Sequence, residues 1–432
     1  MRAAMAWQGT TGRREALALL LGLGGCASFP ELPEAGIAGH ALFREAMADA
    51  PVLPGNAVAL LAGGQRILLE IFRMIEAARD HVHLEFFIVE DVRRPGSGAS
   101  LFALLHRKLR EGVAVNLIYD SLGSSRTTRA EFAALREAGA RLLSFNPANP
   151  LEARGAWRPN HRTHRKILVV DGRVALTGGA NLQGVYANRC GPGAVDPEED
   201  PEEACWDDVA LRIEGPAVPA FQRLFLDTWT NQGGGPLSER NWFPPPRRPG
   251  RTAMRVLGSS PVRGRPLFHV VRLAALEEAR RRAVICTGYF VPAPREMTEI
   301  LRAARRGVEV RLLLPGASDH AVPLHIQRSL YGDLLGAGVR IFEVHDRVMH
   351  AKLAVMDGEW SAVGSSNLDR RSAAWNDEVD TILLGPEFGG ALERLLRDRM
   401  AGAREVTLEQ WQARPFGQRV REVLSWPFAD QL

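Results

Sequence analysis

The chain has 432 residues, of which 46% are hydrophobic and 24% are charged, and this composition excludes a disordered or fibrous protein. The formal net charge of +4 and a pI near 9.1 suit an anionic substrate or surface, but no basic-aromatic stripe of a nucleic-acid-binding protein accompanies them. Four cysteines without paired spacing exclude a disulfide-framework protein and give no zinc signature. The length allows two or three domains.

The N-terminus predicts an export signal. Arg13 and Arg14 precede a short apolar run that ends in small residues and Cys26. This pattern is typical of a cleavable signal, and the run is too short for a stable transmembrane helix. The stretch LGGC at Leu23–Cys26 resembles the lipobox of bacterial lipoproteins. We therefore expect residues 1–26 to act as signal peptide and lipobox, with the protein exported, membrane-associated and lipid-anchored through Cys26. A mis-assigned start or a frayed helix is the alternative.

The rest of the chain alternates helices and strands, and it does so twice. The first half predicts a helix over 65–78, a strand over 81–91, a helix over 101–112, a strand over 113–120, a helix over 129–140 and a strand over 141–146. The second half predicts a helix over 269–282, a strand over 283–291, a helix over 295–307, a strand over 308–315, a helix ending at 339 and a strand over 340–345. This order, with apolar strands, predicts a parallel or mixed sheet covered by helices.

A stretch rich in Gly, Pro and Arg, NQGGGPLSERNWFPPPRRPGRT, separates the halves. We therefore predict a first domain over 55–233, a linker over 234–254 and a second domain over 255–432. The acidic segment 196–204 occurs only in the first half and is predicted to be a solvated loop in preference to a metal site. Cys190 and Cys205 flank it and are able to pair in an exported protein.

The C-terminal segment 411–432 predicts an amphipathic helix, which places Phe416, Val420, Val423 and Leu424 on one face. Packing onto the second domain is favoured over lying on a bilayer, which such a face also allows.

The strongest signal is a stretch that occurs twice. HRKILVVDGRVALTGGAN begins at His164, and HAKLAVMDGEWSAVGSSN begins at His350. The two copies are too far apart for a solenoid repeat, so they indicate duplication of a whole domain. Both keep His, Lys, Asp, Gly and Asn at the same offsets, which a chance match does not explain.

Each copy contains an Asp-Gly pair, at Asp171 and Asp357, which predicts a hairpin with a two-residue turn. Counting outward places His164 opposite Gly179, Lys166 opposite Thr177, His350 opposite Ser365, and Lys352 opposite Val363. Alternation then puts each His and Lys on one face with Asn181 in the first copy and Asn367 in the second. The Asp lies at an odd offset from its His, so we interpret it as a turn and framework residue.

The shared face offers an imidazole, an ammonium, an amide and a small residue that leaves space for a ligand. Lys beside His disfavours a metal site, because a metal requires a neutral imidazole and repels the ammonium. The same groups suit a phosphate, for which Lys supplies charge and Asn supplies donors. His161 lacks a partner Lys and is interpreted as a bystander.

Both copies fit H-x-K-x4-D, followed by GGAN or GSSN, and they resemble the phospholipase D superfamily in its bacterial cardiolipin synthase branch. TGYFVPAPREM, VRLLLPGASD and WDDVALRIEGPAV add to the likeness, which extends from Gly55 to the C-terminus. Two features depart from this branch. Ala210 stands where the branch usually carries His, and the acidic segment is an insertion.

The resemblance implies an α/β fold of two duplicated phospholipase D-like domains. Each is a mixed sheet flanked by helices, and the active site lies at their interface.

The resemblance also implies the roles of the site residues. One imidazole attacks phosphorus and the other protonates the departing alcohol, with His164 as nucleophile and His350 as acid and base, although the residues alone do not distinguish them. The implied catalytic set comprises His164, Lys166, Asp171, His350, Lys352 and Asp357. The implied substrate-binding set comprises Asn181, Asn367, Ser365 and Gly179. No metal or cofactor is implied, because the lysines supply positive charge.

The family orients its histidines with downstream carboxylates. Glu378, which follows His350, fits that place, and Asp208 is the weaker candidate in the first half. For Asp208 an ordinary surface or salt-bridge carboxylate is the favoured interpretation.

The implied function is a cardiolipin synthase-like phosphatidyltransferase that acts on phosphatidylglycerol through a phospho-histidine. The alternatives are a hydrolytic phospholipase D that releases phosphatidic acid, a phosphodiesterase or nuclease of the same superfamily, and a non-catalytic lipid-binding lipoprotein. The implied partners are an anionic phospholipid and a membrane surface. Nucleic acid is not expected, and the sequence leaves the oligomeric state open.

Overall fold

The computed structural model of the chain describes residues 29–431 other than 159 and 192. The predicted export signal and the lipid anchor at Cys26 fall outside the described residues and stay predictions. Within the described ranges, no helix combines the length and the apolar character needed to cross a bilayer.

The strands of the first half are β1 (Leu53–Ala62), β2 (His81–Phe86), β3 (Ala114–Asp120), β4 (Arg141–Phe145), β5 (Arg162–Thr163), β6 (Ile167–Val170), β7 (Val174–Gly178), β8 (Trp206–Asp207) and β9 (Val209–Glu214). Those of the second half are β10 (Thr252–Ser259), β11 (Arg282–Cys286), β12 (Phe290–Val291), β13 (Glu309–Pro315), β14 (Arg340–Val344), β15 (Val348–Met349), β16 (Leu353–Met356), β17 (Trp360–Gly364), β18 (Leu368–Asp369), β19 (Asn376–Leu384) and β20 (Arg404–Val406).

The α-helices are α1 (Ala41–Asp49), α2 (Gly64–Ala77), α3 (Leu101–Arg110), α4 (Arg129–Glu137), α5 (Val218–Asn231), α6 (Leu267–Glu278), α7 (Pro294–Arg305), α8 (Ala321–Ser329), α9 (Tyr331–Gly336), α10 (Arg370–Ala374), α11 (Pro386–Ala401), α12 (Leu408–Gln412) and α13 (Phe416–Ser425). Short 3-10 helices span Ile37–Gly39, Pro150–Glu152, Gly184–Ala187, Pro261–Arg263 and Trp426–Gln431.

One mixed sheet of sixteen strands runs through both halves. Its order is β20-β14-β13-β11-β16-β17-β19-β10-β1-β9-β7-β6-β2-β3-β4, and β5 adds to β19. Outward from β9 and from β19 the two halves repeat the same order, and the antiparallel pair β1–β10 joins them at the centre. The predicted duplication and mixed sheet are confirmed. β10 begins at Thr252, inside the stretch predicted as a linker.

Helical periodicity explains how the helices attach to this sheet. In α2, Ile67, Leu68, Ile71, Phe72 and Ile75 recur at helical spacing and are all buried against the sheet. The opposite face of this helix carries charged side chains. Helices α3 and α5 follow the same pattern, so the sheet has apolar cover and its loops are free to build a site.

The two hairpins differ from the predicted register by one residue. Ile167, and not Lys166, lies opposite Thr177, and Leu353, and not Lys352, lies opposite Val363. The cause is a three-residue turn in each copy. Asp171 and Asp357 take left-handed φ angles of 53° and 54°, and the glycines that follow them do the same. Asp tolerates this region, and its side chain stabilises it here.

The turn carboxylates fasten each hairpin to the neighbouring strand. The Asp171 carboxylate accepts the backbone N–H groups of residues 79–81 at 2.8–3.2 Å, where β2 begins. The Asp357 carboxylate accepts those of residues 280–282 at 2.7–2.9 Å, where β11 begins. This geometry is that of a framework residue, although both aspartates belong to the motif from which a catalytic set was inferred.

Replacing Asp171 by Asn tests the framework role. Asn keeps the tolerance for a left-handed turn but loses the charge that strengthens three N–H contacts, so we expect the free energy of unfolding to fall by about 1–3 kcal/mol. Chemical denaturation measures this change. Arg173→Ala, in the same turn, is the control and should unfold like the parent protein. Equal stability of Asp171→Asn and the parent would contradict the framework role.

Candidate active site

The two H-x-K motifs enter the site from opposite halves. β5 ends immediately before His164 and pairs with the start of β19, while β15 ends immediately before His350 and pairs with β8. The His164 N–H donates to the Asp377 carbonyl at 2.8 Å, and the His350 N–H donates to the Asp207 carbonyl at 2.9 Å. Each histidine is therefore fixed by backbone pairing to a strand of the other half.

The residue that follows each of those carbonyls is an acid, and it contacts the same histidine. His164 Nδ1 lies 3.0 and 3.1 Å from the two carboxylate oxygens of Glu378, and His350 Nδ1 lies 2.8 Å from Asp208 Oδ2. The expectation that each histidine uses the acid of its own half was wrong, because the strand pairing crosses between halves. Asp208 was interpreted as a surface or salt-bridge carboxylate; the surface alternative was wrong, since Asp208 is fully buried and pairs with His350.

Both acids are ionised at neutral pH despite their burial. Burial alone would raise the pKa of Glu378, but His164, Lys166 and the Ser365 hydroxyl hold it at about 2. Burial opposes ionisation of Asp208 in the same way, and the hydrogen bond from His350 and the charge of Lys352 keep its pKa below the usual value. An ionised partner accepts a hydrogen bond from the Nδ1–H group, and this places the lone pair of each ring on Nε2.

The imidazoles themselves are held neutral. Burial, with the positive charge of both lysines, lowers the pKa of His164 to about 4, against the opposing effect of Glu378. His350 is lowered to about 4 by burial and Lys352, against Asp208. Each lysine acts on the histidine of the other half as well as on its own, so the two motifs form one electrostatic cluster.

The lysines lie against their histidines. Lys166 Nζ donates to the His164 carbonyl at 2.7 Å, and Lys352 Nζ donates to the His350 carbonyl and lies 2.9 Å from His350 Nε2. Burial lowers the pKa of both ammonium groups, that of Lys352 to about 8. Their positive charge therefore stands beside both rings in surroundings from which water is largely excluded, where an anion gains most from it.

Of the four residues expected to bind substrate, Gly179, Ser365 and Asn181 are committed to other contacts. A Cβ at Gly179 would lie 2.2 Å from Asp208 Oδ1, so the space that was expected for a ligand holds this carboxylate instead. The Ser365 hydroxyl donates to Glu378. Asn181 Oδ1 accepts the Ile88 N–H at 3.3 Å. Asn367 Oδ1 is buried and has no hydrogen-bond partner among the described residues, so its oxygen is the least committed of the four.

Sequence reasoning missed Tyr186. Its buried hydroxyl lies 3.0 Å from His350 Nδ1 and donates to Asp208 Oδ2 at 3.2 Å. Burial and the charge of Asp208 raise the pKa of this phenol well above its usual value, so it stays a donor. The motif repeat gave no signal for it, because the equivalent position in the second half is Ser372.

Aromatic rings also line the histidines. Phe87 meets the His164 ring edge-on at 5.4 Å, and Tyr289 meets the His350 ring edge-on at 6.0 Å. Trp206, in the WDD element, lies 5.3 Å from the His350 ring. These rings exclude water from the imidazoles and restrict their rotation.

Two further contacts tie the halves together around the acids. His161, interpreted as a bystander to the chemistry, is buried and its Nε2 lies 2.7 Å from Asp377 Oδ1, which gives it a structural contact across the interface. Arg399 donates to Asp207 Oδ1 at 2.6 Å. Asp377 and Asp207 precede Glu378 and Asp208, so each acid-bearing strand is anchored across the interface next to its functional carboxylate.

The acidic segment is closed by a disulfide. Cys190 and Cys205 pair with a Cα–Cα distance of 5.0 Å, and the Cys205 carbonyl accepts the Val348 N–H at 2.8 Å. The bridge therefore anchors the start of β8, which leads directly into Asp208.

Comparison with known proteins follows this division into halves. A family model described as "Cardiolipin synthase, PLD-like domain" matches residues 71–189 and 273–400. The chain is 32% identical over 381 residues to a cardiolipin synthase of Geobacillus kaustophilus, covering 87% of this chain and 72% of that protein. It is also 32% identical over 366 residues to cardiolipin synthase A of Pseudomonas putida, covering 83% and 71% respectively.

Two solved structures share the fold at low sequence identity. A phosphatidylserine synthase of Haemophilus influenzae aligns with a TM-score of 0.59 at 14% identity, covering 90% of this chain and 97% of that one. A polyphosphate kinase of Porphyromonas gingivalis aligns with a TM-score of 0.52 at 14% identity, covering 89% of this chain and 52% of that one. At this identity both comparisons establish the fold alone.

The crossed pairs predict the tautomer of each histidine. At pH 7 both rings should be neutral with the proton on Nδ1, and 15N chemical shifts of labelled histidine report this directly. Glu378→Gln should change the signal of His164 and leave that of His350, because the acid contacts the ring of the other half. Asp208→Asn is the matched control and should do the reverse. A change confined to the histidine of the same half would refute the crossed arrangement.

Proposed function

Since the chain belongs to the family described as cardiolipin synthase, PLD-like domain, and is a phospholipase D-type phosphatidyltransferase, we propose that it converts two molecules of phosphatidylglycerol into cardiolipin and glycerol. The observation that carries this proposal is the meeting of two buried histidines, each paired with an acid of the other half, between two buried lysines. Such a cluster suits a single phosphodiester.

In the first half-reaction, Nε2 of His164 attacks the phosphorus of phosphatidylglycerol. A P–N bond forms, the P–O bond to glycerol breaks, and His350 supplies the proton that the glycerol oxygen needs to leave. Lys166 and Lys352 lie beside the expected positions of the non-bridging phosphate oxygens. Their positive charge stabilises the transition state more than the bound ester. Glu378 balances the positive charge that forms on the His164 ring.

In the second half-reaction, His350 takes the proton from a hydroxyl of the second phosphatidylglycerol. That oxygen attacks phosphorus, the P–N bond breaks, and His164 is released neutral. The proton that His350 lost in the first step returns to it, so the cycle closes without another proton donor. Asp208 and the Tyr186 hydroxyl hold the His350 ring in place for both transfers.

Protonation of His350 before the first step follows from the charge of the substrate. The free site lowers the pKa of His350 to about 4, mainly through burial and Lys352. A phosphodiester brings a negative charge beside both, which offsets Lys352 and raises the pKa of the imidazole. Substrate binding is thus accompanied by proton uptake, and the acid is formed only when there is an ester to cleave.

Burial supports transfer over hydrolysis. His164 is 8% exposed and His350 is 5% exposed. Water has limited access to such rings, so a second lipid that fills the site competes favourably for the phospho-histidine. Hydrolysis to phosphatidic acid remains the alternative outcome of the same chemistry.

Product analysis tests the function. Purified protein mixed with phosphatidylglycerol vesicles should form cardiolipin and glycerol in equal amounts, resolved by mass spectrometry. His164→Ala removes the nucleophile and should lower the rate by at least about 10³-fold. Phosphatidic acid as the sole product would establish the hydrolytic alternative, and an unchanged lipid would exclude this substrate.

A substrate with a good leaving group separates the roles of the histidines. With a p-nitrophenyl phosphodiester the phenolate leaves without protonation, so His350→Ala should still release one equivalent of nitrophenolate per site in a rapid burst. Turnover should then be slow, because no base activates the acceptor. His164→Ala should give no burst. The opposite pattern would make His350 the nucleophile, and equal bursts would exclude a single nucleophile.

A further inference from the structure

Helix α13 is amphipathic in the reverse of the usual sense. Its apolar side chains face solvent: Phe416 is 78% exposed, Val423 is 71% exposed and Leu424 is 67% exposed. Its buried side chains are Glu422 and Ser425. A surface helix normally buries its apolar stripe against the core, so this orientation calls for an apolar environment on the outside.

The exposed stripe continues past the helix end. The C-terminal apolar patch, as we name it, comprises Phe416, Val420, Val423, Leu424, Trp426 and Phe428. These six make up half of the twelve large hydrophobic side chains that are exposed among the described residues. The sequence favoured packing of this segment onto the second domain. α13 does pack on α8, but through its polar side, and the apolar stripe stays outside.

The exposed charged side chains of α13 have one sign. At 100° per residue, the apolar stripe of α13 lies between Arg419 on one edge and Arg421 on the other, and both arginines are exposed. The acid of the helix, Glu422, points inward and is held by Arg414 at 2.9–3.2 Å. An apolar face with basic edges complements a surface that is apolar inside and anionic outside.

The patch is attached to a wall of the active site. Ala429 packs with Val322 and Ile326 of α8 and with Val291 of β12 in one small cluster. Val291 follows Tyr289 closely in the chain, and the Tyr289 ring contacts both the His350 ring and the His320 ring at the start of α8. A surface bound at the patch is therefore held next to the segment that lines one histidine.

We propose that the C-terminal apolar patch docks the protein on the surface of an anionic phospholipid bilayer. Phe416, Val423 and Leu424 enter the boundary of the acyl region, Trp426 lies at the interface, and Arg419 and Arg421 contact the headgroups. The role of this docking rests on the proposed function, in which the substrate is a phospholipid. It makes α13 the element that sets how the active site approaches lipid headgroups.

Vesicle sedimentation tests the docking face. The full chain should partition onto vesicles of phosphatidylglycerol and phosphatidylcholine more strongly than onto phosphatidylcholine alone. The variant F416S/V423S/L424S should bind the mixed vesicles at least about tenfold more weakly, because three apolar side chains no longer leave water. The variant R419A/R421A should lose about fivefold per arginine on the mixed vesicles and little on phosphatidylcholine. Leu151→Ser, at a side chain 94% exposed in the first half, is the control and should bind like the parent.

Activity on two forms of the substrate separates docking from chemistry. With short-chain phosphatidylglycerol dissolved below its critical micelle concentration, F416S/V423S/L424S should keep the parent rate, while its rate on vesicles falls in proportion to binding. If the parent protein converts neither form, the proposed function fails, yet sedimentation still tests whether the C-terminal apolar patch binds the bilayer.

Unchanged vesicle binding of the triple variant would overturn the docking proposal. So would a triple variant that loses only self-association in sedimentation equilibrium, since the patch would then be an interface between copies of this chain.

Discussion

The hydrogen bond between the histidine of each motif and an acid of the opposite half is the constraint on which the structure depends. A buried carboxylate is costly unless it is paired, and Glu378 and Asp208 are both fully buried. Their partners, His164 and His350, arrive only from the other half. Neither half contains a complete site, and separating the halves would leave two buried charges unpaired. The pairings β5–β19 and β8–β15, with the disulfide beside β8, hold the acids in register with the rings.

This constraint also sets the electrostatics of the site. The two ionised acids balance the two lysines, and the imidazoles between them stay neutral. Burial depresses the pKa of both lysines, so their positive charge is held at a cost. An incoming phosphodiester lowers that cost, because it supplies the negative charge that the buried ammonium groups lack. In the proposed function, affinity for a phosphate ester and proton uptake by His350 therefore have a common origin.

The sequence predicts the duplication in full, but it does not predict that each histidine pairs with an acid of the other half. His, Lys, Asp, Gly and Asn recur at equal offsets, and apolar strands alternate with amphipathic helices, so the fold and the two motifs could be predicted. Offsets within one half say nothing about pairing between halves, and for this reason Glu378 was matched with the wrong histidine. The hairpin register failed because an Asp-Gly pair does not distinguish a two-residue turn from a three-residue turn. Tyr186 could not be found from the repeat, since Ser372 takes its place.

The two histidines are related by the repeat, but the proposed reaction requires one nucleophile and one acid. The protein resolves this by varying what surrounds the acids. The Ser365 hydroxyl donates to Glu378. The position equivalent to Ser365 in the first half is Gly179, and its missing side chain leaves the space that the Asp208 carboxylate occupies. The place of Ser365 is taken on that side by the larger phenol of Tyr186, which reaches both Asp208 and His350 Nδ1. The Tyr186 hydroxyl donates to Asp208 and also lies against the His350 ring, whereas the Ser365 hydroxyl donates to Glu378 and accepts the Val379 N–H. The difference between the two half-sites therefore lies in the hydrogen-bond donors behind the histidines, while the histidines and lysines themselves stay the same.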